Sequence, residues 1–174
     1  MTALLHDASM PVFLRYLDRI EGWIDAAEAF ARAEGRLVDE LLTARLAPDM
    51  LGFEQQVMVA VNFTLRSSFP LAGEPTPPYG EFPATAAGLR ARIRYAGALL
   101  SALDPARFDG AAERVLESRA GHALVRLPAT RFLFEYALPN FFFHATAAYA
   151  ILRSQGVALG KADFDGFHVY EKPA

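Results

Sequence analysis

Apolar residues recur at spacings of three and four over four long stretches, the pattern of helices with one buried face. The first stretch follows Ser9, a residue type that caps helices, and has Pro11 in its first turn, where a missing N–H is harmless. It ends near Gly35. The second follows Asp49 as a cap and stops around Phe69. Its inward face would comprise Phe53, Gln56, Val57, Ala60, Val61 and Leu65.

The second half of the chain predicts two further helices with a hairpin between them. The third helix starts at Thr85 or just before it, and the last spans roughly Thr130–Ser154 with Gly156 as a C′ glycine. Pro139 lies inside the last pattern and should kink this helix or mark its true start. Between the two helices, "RVLESRAGHALVRL" has two β-prone runs that meet at residues 120–121, which predicts a small β-hairpin.

The connecting segments complete the predicted fold. Residues 37–42 form a short helical segment, whereas 70–83 ("PLAGEPTPPYGEFP") is too rich in proline for a helix. The tail from residue 157 is expected to be irregular. The sequence therefore predicts one all-α domain over residues 1–174, a four-helix bundle with a small β-hairpin between helices 3 and 4.

Composition narrows the class of protein. The chain has 174 residues, 53% of them hydrophobic and 21% charged, which is typical of a folded domain with a real core. Its net charge of −3 comes without a basic stripe, so nucleic acid is not an expected partner. There is no cysteine, which excludes disulfides, thiolate catalysis and cysteine metal sites.

No segment resembles a targeting or membrane-spanning sequence. The start, "MTALLHDASMPVF", lacks the positive region and long apolar run of a signal peptide. The most apolar window, residues 138–153, contains Pro139, Asn140 and His144 and is shorter than the roughly 20 apolar residues of a membrane span. We therefore expect a soluble, cytoplasmic protein without a membrane partner.

The common catalytic motifs are missing from the sequence. The chain has four histidines, and no two of them are three or four residues apart, so the paired histidines of a helical zinc site are absent. There is neither a glycine-rich phosphate loop nor a G-x-S-x-G nucleophile elbow.

The strongest candidate site is "LPNFFFHATAAYAILR", residues 138–153. Asn140 and His144 lie one turn apart on one helix face, among aromatic neighbours. Burial there would lower the pKa of His144 and favour a neutral imidazole, which can ligate a metal or accept a proton. Three interpretations remain: a structural hydrogen bond that ties the helix to the core, which we favour, a ligand pocket, or a metal site. Gln56 could point inward and face His144, although a boundary glutamine is more common.

Three blocks of the sequence resemble a known bacterial family. The segments "DASMPVF", "LLTARLAPDM" and "ALPNFFFHATAAYAILRSQGVALGKADF" are similar, in order and spacing, to the family called domain of unknown function 1993 over essentially the whole chain. The resemblance implies a DinB-like four-helix bundle. Better known members of that superfamily hold a divalent metal with three histidines, one from the second helix and an H-x3-H pair from the fourth. Several are thiol-dependent transferases or isomerases.

The resemblance also shows where this chain departs from the metal-binding pattern. His144 matches the second histidine of the pair, Asn140 stands at the first, and the second-helix histidine falls near Met58, with Gln55 and Gln56 within a turn. One of the three imidazoles is therefore kept. An amide and a thioether are weak ligands for zinc or nickel.

We therefore predict small-molecule or partner binding in a cavity near His144, without the metal triad and without a cofactor. The expected pocket residues are His144, Asn140, Gln56, Met58 and Tyr149, with His144 as a weak metal candidate. By analogy and from the surplus of aromatics, a homodimer is expected. The alternative is a thiol-dependent transferase or isomerase with a degenerate zinc or nickel site at Asn140 and His144, and a third class is a structural or regulatory protein. Whether the protein is an enzyme is left open.

Overall fold

The computed structural model describes residues 3–168 and places most of them in helices. A small antiparallel sheet pairs β1 (Val115–Ala120) with β2 (Ala123–Pro128). The predicted helical fold with one hairpin is confirmed, but short helices accompany the four long ones. The helices are α1 (Ala3–Asp7), α2 (Met10–Ala33), α3 (Val38–Thr43), α4 (Phe53–Leu71), α5 (Ala86–Ser101), α6 (Ala129–Arg131), α7 (Leu138–Ser154) and α8 (Lys161–Asp165).

Helix α2 begins where it was expected, but Ser9 does not cap it. The Ser9 hydroxyl instead donates to the carbonyl of Leu5 at 2.6 Å, because α1 places a helical turn directly before α2. Pro11 lies in the first turn, as predicted. The predicted capping role of Ser9 is therefore wrong, since it assumed an extended chain in front of the helix.

The two following long helices begin differently from each other. Thr85 caps α5, because its hydroxyl accepts the Gly88 N–H at 3.1 Å. Asp49 does not cap α4, which begins after Gly52. A Cβ at Gly52 would lie 3.1 Å from the Thr43 carbonyl oxygen, so close packing against the end of α3 favours glycine there.

The last long helix is part of a longer helical run. Helix α6, a π-helical turn over Phe132–Ala137 and α7 follow one another without a break. Pro139 lies in the first turn of α7, directly after the π-helical turn, so it marks the start of the long α-helical part of the run and not the start of the whole predicted helix. The wide turn before it removes the α-helical geometry in which a proline ring would clash with the preceding turn.

The tail is more ordered than the expected irregular segment. Helix α8 starts behind Gly160, whose N–H donates to the Asp163 carboxylate at 2.7 Å. The Trp23 indole N–H donates to the Asp163 carbonyl at 2.8 Å, and its ring stacks on Phe164 with centroids 5.6 Å apart. These contacts fix the tail to α2. The predicted tail from residue 169 onward lies outside the described residues.

Helix α4 lies at the centre of the packing, between α5 and α7, while α2 packs on α5. The predicted inward face of α4 is confirmed, since all six of its residues are buried: Phe53, Gln56, Val57, Ala60, Val61 and Leu65. Burial of this face brings α4 against the stretch of α7 that carries His144. Within residues 3–168, no helix is long and apolar enough to cross a membrane.

Candidate functional site

Three consecutive phenylalanines at the start of α7 point in three directions, because neighbouring residues on a helix are about 100° apart. Phe141 is fully buried and contacts Phe13 and Tyr16 edge to face, with centroids 5.0 and 5.9 Å apart. Phe142 is half-buried, and Phe143 is 58% exposed. Anchoring of Phe141 in the core holds α7 at a fixed rotation, which turns His144 toward α4.

His144 is hydrogen-bonded to Gln56 across the contact between α7 and α4. The Nδ1 atom of His144 lies 2.7 Å from Oε1 of Gln56. The Gln56 amide nitrogen donates to the Leu51 carbonyl at 3.3 Å, which turns the amide oxygen toward the imidazole. The oxygen can only accept, so Nδ1 carries the proton and Nε2 carries a lone pair. Gln56 therefore selects one tautomer of His144.

The surroundings of His144 keep its ring neutral. Desolvation by burial lowers the pKa of His144 below its ordinary value of 6.5. Phe63 stacks on the ring at 6.1 Å between centroids, and Phe143 meets it edge-on at 5.1 Å. At neutral pH the site thus presents a neutral imidazole whose Nε2 can accept a hydrogen bond or a proton.

The lowered pKa predicts how stability depends on pH. Because the unfolded chain protonates His144 more readily, the free energy of unfolding falls as pH drops from about 6.5 through the lower folded-state pKa. His144→Gln removes this contribution. The difference in free energy of unfolding, wild type minus variant, should therefore decrease between pH 7.5 and pH 5 in urea titrations. A difference that is constant or rises on acidification would contradict the assignment.

Asn140 has a structural role next to the π-helical turn. Its side-chain N–H donates to the carbonyl of Tyr136 at 2.7 Å, four residues earlier in the chain. Asn140 and His144 share a helix face, as predicted, but each takes a different hydrogen-bond partner. The Asn140 bond stays within its own helical run, whereas the His144–Gln56 bond ties α7 to α4, as the favoured structural interpretation expected. Nε2 of His144 is not used by that bond.

Two expected pocket residues lie away from His144. Met58 is two residues beyond Gln56 on α4, about 200° around the helix, so it is not on the Gln56 face. Tyr149 is about 140° around α7 from His144. Its ring contacts Trp23 and Phe164, and its hydroxyl donates to the Leu159 carbonyl at 3.3 Å. Tyr149 thus helps to hold the tail.

The donor atoms near His144 do not fit a zinc or nickel centre. Within residues 3–168, no group of three or more metal-ligating side chains of the His, Cys, Asp and Glu types lies together. Nδ1 of His144 is bonded to Gln56 and the Asn140 amide nitrogen to Tyr136, which leaves Nε2 as the one imidazole donor. Catalytic zinc usually has three protein ligands. His144 alone is therefore a weak metal candidate.

Sequence reasoning missed a basic residue beyond Phe63. The guanidinium of Arg66 lies over the Phe63 ring, 4.7 Å from its centroid, on the ring that also stacks with His144. Arg66 donates to the Ser118 hydroxyl and the Arg119 carbonyl of β1. Arg66 is the one basic residue in the sequence of α4, which was the available signal. Its partners lie far away along the chain and could not be read from the local pattern.

An open apolar groove of about 450 Å³ lies beside Phe143. It is lined by Leu46, Met50, Phe142, Phe143, Thr146, Ala147 and Ala150. Phe143 therefore contacts the His144 ring and also lines an exposed apolar surface.

The family model described as Domain of unknown function (DUF1993) matches residues 5–165. The crystal structure of a DinB family member protein from Shewanella denitrificans is similar in fold, with a TM-score of 0.86. The two chains are 32% identical, and the match covers 99% of this chain and 97% of that chain. No curated protein matches this chain.

Proposed function

Because the chain belongs to the family Domain of unknown function (DUF1993) and has a DinB-like fold, we propose that it binds a small molecule beside His144 without the metal triad of the superfamily. We further infer that α2, α4, α5 and α7, of 24, 19, 16 and 17 residues, are the four helices of the predicted bundle. The ligand site then lies between its second and fourth long helices.

The hydrogen bond between Gln56 and His144 carries this proposal. Gln56 is 1% exposed, and its side chain fixes the orientation of the imidazole. Two apolar side chains would pack at this position without the cost of burying polar groups. The bond leaves Nε2 with a lone pair on a half-buried ring between two aromatic side chains. Such a nitrogen recognises a hydroxyl, thiol or amide N–H of a ligand.

Histidine side-chain ¹⁵N NMR tests the proposal directly. A library of small hydroxyl, thiol and amide fragments is added to labelled protein, and the Nε2 resonance of His144 is followed. We expect some fragments to shift it while the resonance of His122, in the hairpin turn, stays constant. Those fragments should lose affinity in His144→Gln. A library that leaves the Nε2 resonance of His144 unchanged would refute ligand binding and favour a structural or regulatory protein.

A thiol-dependent transferase or isomerase is the second candidate function, and the neutral imidazole favours it. Nε2 could take the proton of a thiol and so produce the thiolate nucleophile. In the version with a degenerate metal site, zinc or nickel would bind at Asn140 and His144. Metal analysis of protein purified without a histidine tag separates the two versions. Stoichiometric zinc or nickel that is lost in His144→Ala would overturn the metal-free proposal.

The apolar groove beside Phe143 supports a homodimer. Phe143 and Leu46 are 58% and 44% exposed, and both line the groove, so a second copy of this chain could bury them. Analytical ultracentrifugation that shows only a 19.1 kDa species at micromolar concentration would remove this proposal. The cytoplasmic location expected from the sequence stays a prediction.

A further inference from the structure

Arg92 on α5 is a buried cation that contacts no carboxylate among residues 3–168. It is 8% exposed, and its Nη1 donates to Oδ1 of Asn62 at 3.1 Å and to the Tyr79 carbonyl at 3.4 Å. Its guanidinium lies 5.1 Å from the centroid of the Phe82 ring. Burial lowers the pKa of Arg92 below its ordinary value. A buried guanidinium held by neutral acceptors is costly unless an anion completes its contacts.

The other arginines of α5 behave differently. Arg90 binds both Asp25 and Glu28 of α2, and Arg94 binds Glu21 of α2. Arg92 points to the opposite side, toward α4, where Asn62 meets it. Arg90 and Arg94 therefore join α5 to α2 through ion pairs, whereas Arg92 takes no part in that contact.

Arg66 is a second cation on this side of α4, one turn beyond Asn62. Within the described part of the chain, it donates to two neutral oxygens, of Ser118 and Arg119, and pairs with no carboxylate. The hydroxyl of Tyr136 lies 3.5 Å from each of the same two oxygens. Arg66 and Tyr136 thus converge at the end of the hairpin.

Tyr79 connects the two arginines. Its carbonyl accepts from Arg92, while its half-buried phenol lies within the electrostatic reach of Arg66 and Tyr136. Burial raises the pKa of Tyr79, the charge of Arg66 lowers it and Tyr136 raises it. The phenol is therefore a neutral hydroxyl that can donate a hydrogen bond. We call Arg66, Arg92, Tyr79 and Tyr136 the arginine–tyrosine cluster.

We propose that the arginine–tyrosine cluster binds the oxyanion group, carboxylate or phosphate, of a small organic ligand that extends toward His144. Guanidinium forks match the oxygens of both groups, and tyrosine hydroxyls supply further donors. Two cations with only neutral contacts give the cluster a local positive charge in a chain whose net charge is −3. The extension toward His144 rests on the proposed function.

The placement of Phe63 gives the approximate size of this ligand. Phe63 contacts both His144 and Arg66, so its ring links the two ends of the proposed site. Tyr136 and His144 are eight residues apart along a helical run, which is roughly 12 Å at 1.5 Å per residue. A ligand with an oxyanion at one end and a hydrogen-bond donor about 10 Å away would reach both ends.

Anion titrations followed by NMR test the cluster. Inorganic phosphate and malonate are added to the protein in separate titrations, and sodium chloride keeps the ionic strength constant. The Nε resonances of Arg66 and Arg92 are followed. We expect at least one of the two anions to shift both resonances. Its affinity should fall about tenfold or more in Arg66→Gln and in Arg92→Gln, the loss of one charge-assisted contact. Arg94→Gln, an exposed neighbour on the same helix, is the matched control and should leave the affinity unchanged.

The outcomes separate this inference from the proposed function. Phosphate or malonate binding should persist in His144→Gln, because the imidazole lies at the other end of the site. The proposed function fails if fragments leave His144 unchanged, even when an anion binds to the cluster. The inference fails if neither anion shifts the two arginine resonances, or if Arg94→Gln weakens binding as much as Arg66→Gln. If circular dichroism shows that Arg92→Gln does not fold, Arg66→Gln and Tyr79→Phe replace it, and both should weaken binding of the anion.

Discussion

Phe141→Ala should lower the free energy of unfolding by about 3–5 kcal/mol. The side chain is fully buried, and its ring packs between Phe13 and Tyr16 of α2 and Phe142 of its own helix. Alanine leaves a cavity there that these rings cannot fill without moving the helices. Urea denaturation followed by circular dichroism measures the loss. The variant should also loosen the contact that sets the rotation of α7 and hence the position of His144.

Phe143→Ala is the matched control, two residues away in the same run. Its ring is 58% exposed, so the same chemical change should alter the free energy of unfolding by no more than about 0.5 kcal/mol. Equal losses in the two variants would contradict the described rotation of α7. If the homodimer forms through the groove beside Phe143, this substitution should weaken self-association while the monomer stays folded.

The four long helices could be predicted from the sequence because burial of one face leaves a periodic pattern in each of them. All six residues predicted for the inward face of α4 are buried for that reason, although α4 also buries residues that the pattern did not single out, among them Phe63 and Leu71. Caps were less predictable, since a side chain caps a helix only if the backbone before it is extended. Thr85 meets this condition, and Ser9 fails it because α1 precedes it. Helix α8 was missed, since a helix of five residues carries almost no periodicity.

The candidate site was predictable only where it follows helix faces. Gln56 belongs to the inward face of α4, and its contact with His144 was weighed from the sequence alone. Met58 came from matching a family position, and helical geometry places it on another face. The arginine–tyrosine cluster was missed because it needs the hairpin and the segment around Tyr79 to fold over α4. Contacts such as Arg66 with Ser118, 52 residues apart, leave no local pattern.

Gln56→Glu should raise the pKa of His144 by about 1–3 units relative to the wild type. The new carboxylate would stand where Oε1 now accepts from Nδ1 at 2.7 Å, and its charge would stabilise the imidazolium. In the wild type, desolvation lowers the pKa of His144, and the attraction of the carboxylate must outweigh it. The two groups would titrate as a coupled pair. Side-chain ¹⁵N titration, with His122 as an internal reference, measures the shift.

In Gln56→Glu, the contribution of His144 to the free energy of unfolding should change with pH in the opposite direction from the wild type. A folded-state pKa above 6.5 makes the His144 contribution stabilising below about pH 6.5, and it is lost as pH rises through the raised value. The wild type should have the opposite trend, because burial lowers its folded-state pKa. Gln56→Leu removes the acceptor without adding charge and should leave the pKa of His144 below its ordinary value. If the glutamate and leucine variants give the same pKa, then residue 56 does not face the imidazole, and the tautomer that supports ligand binding at Nε2 is no longer fixed by this contact.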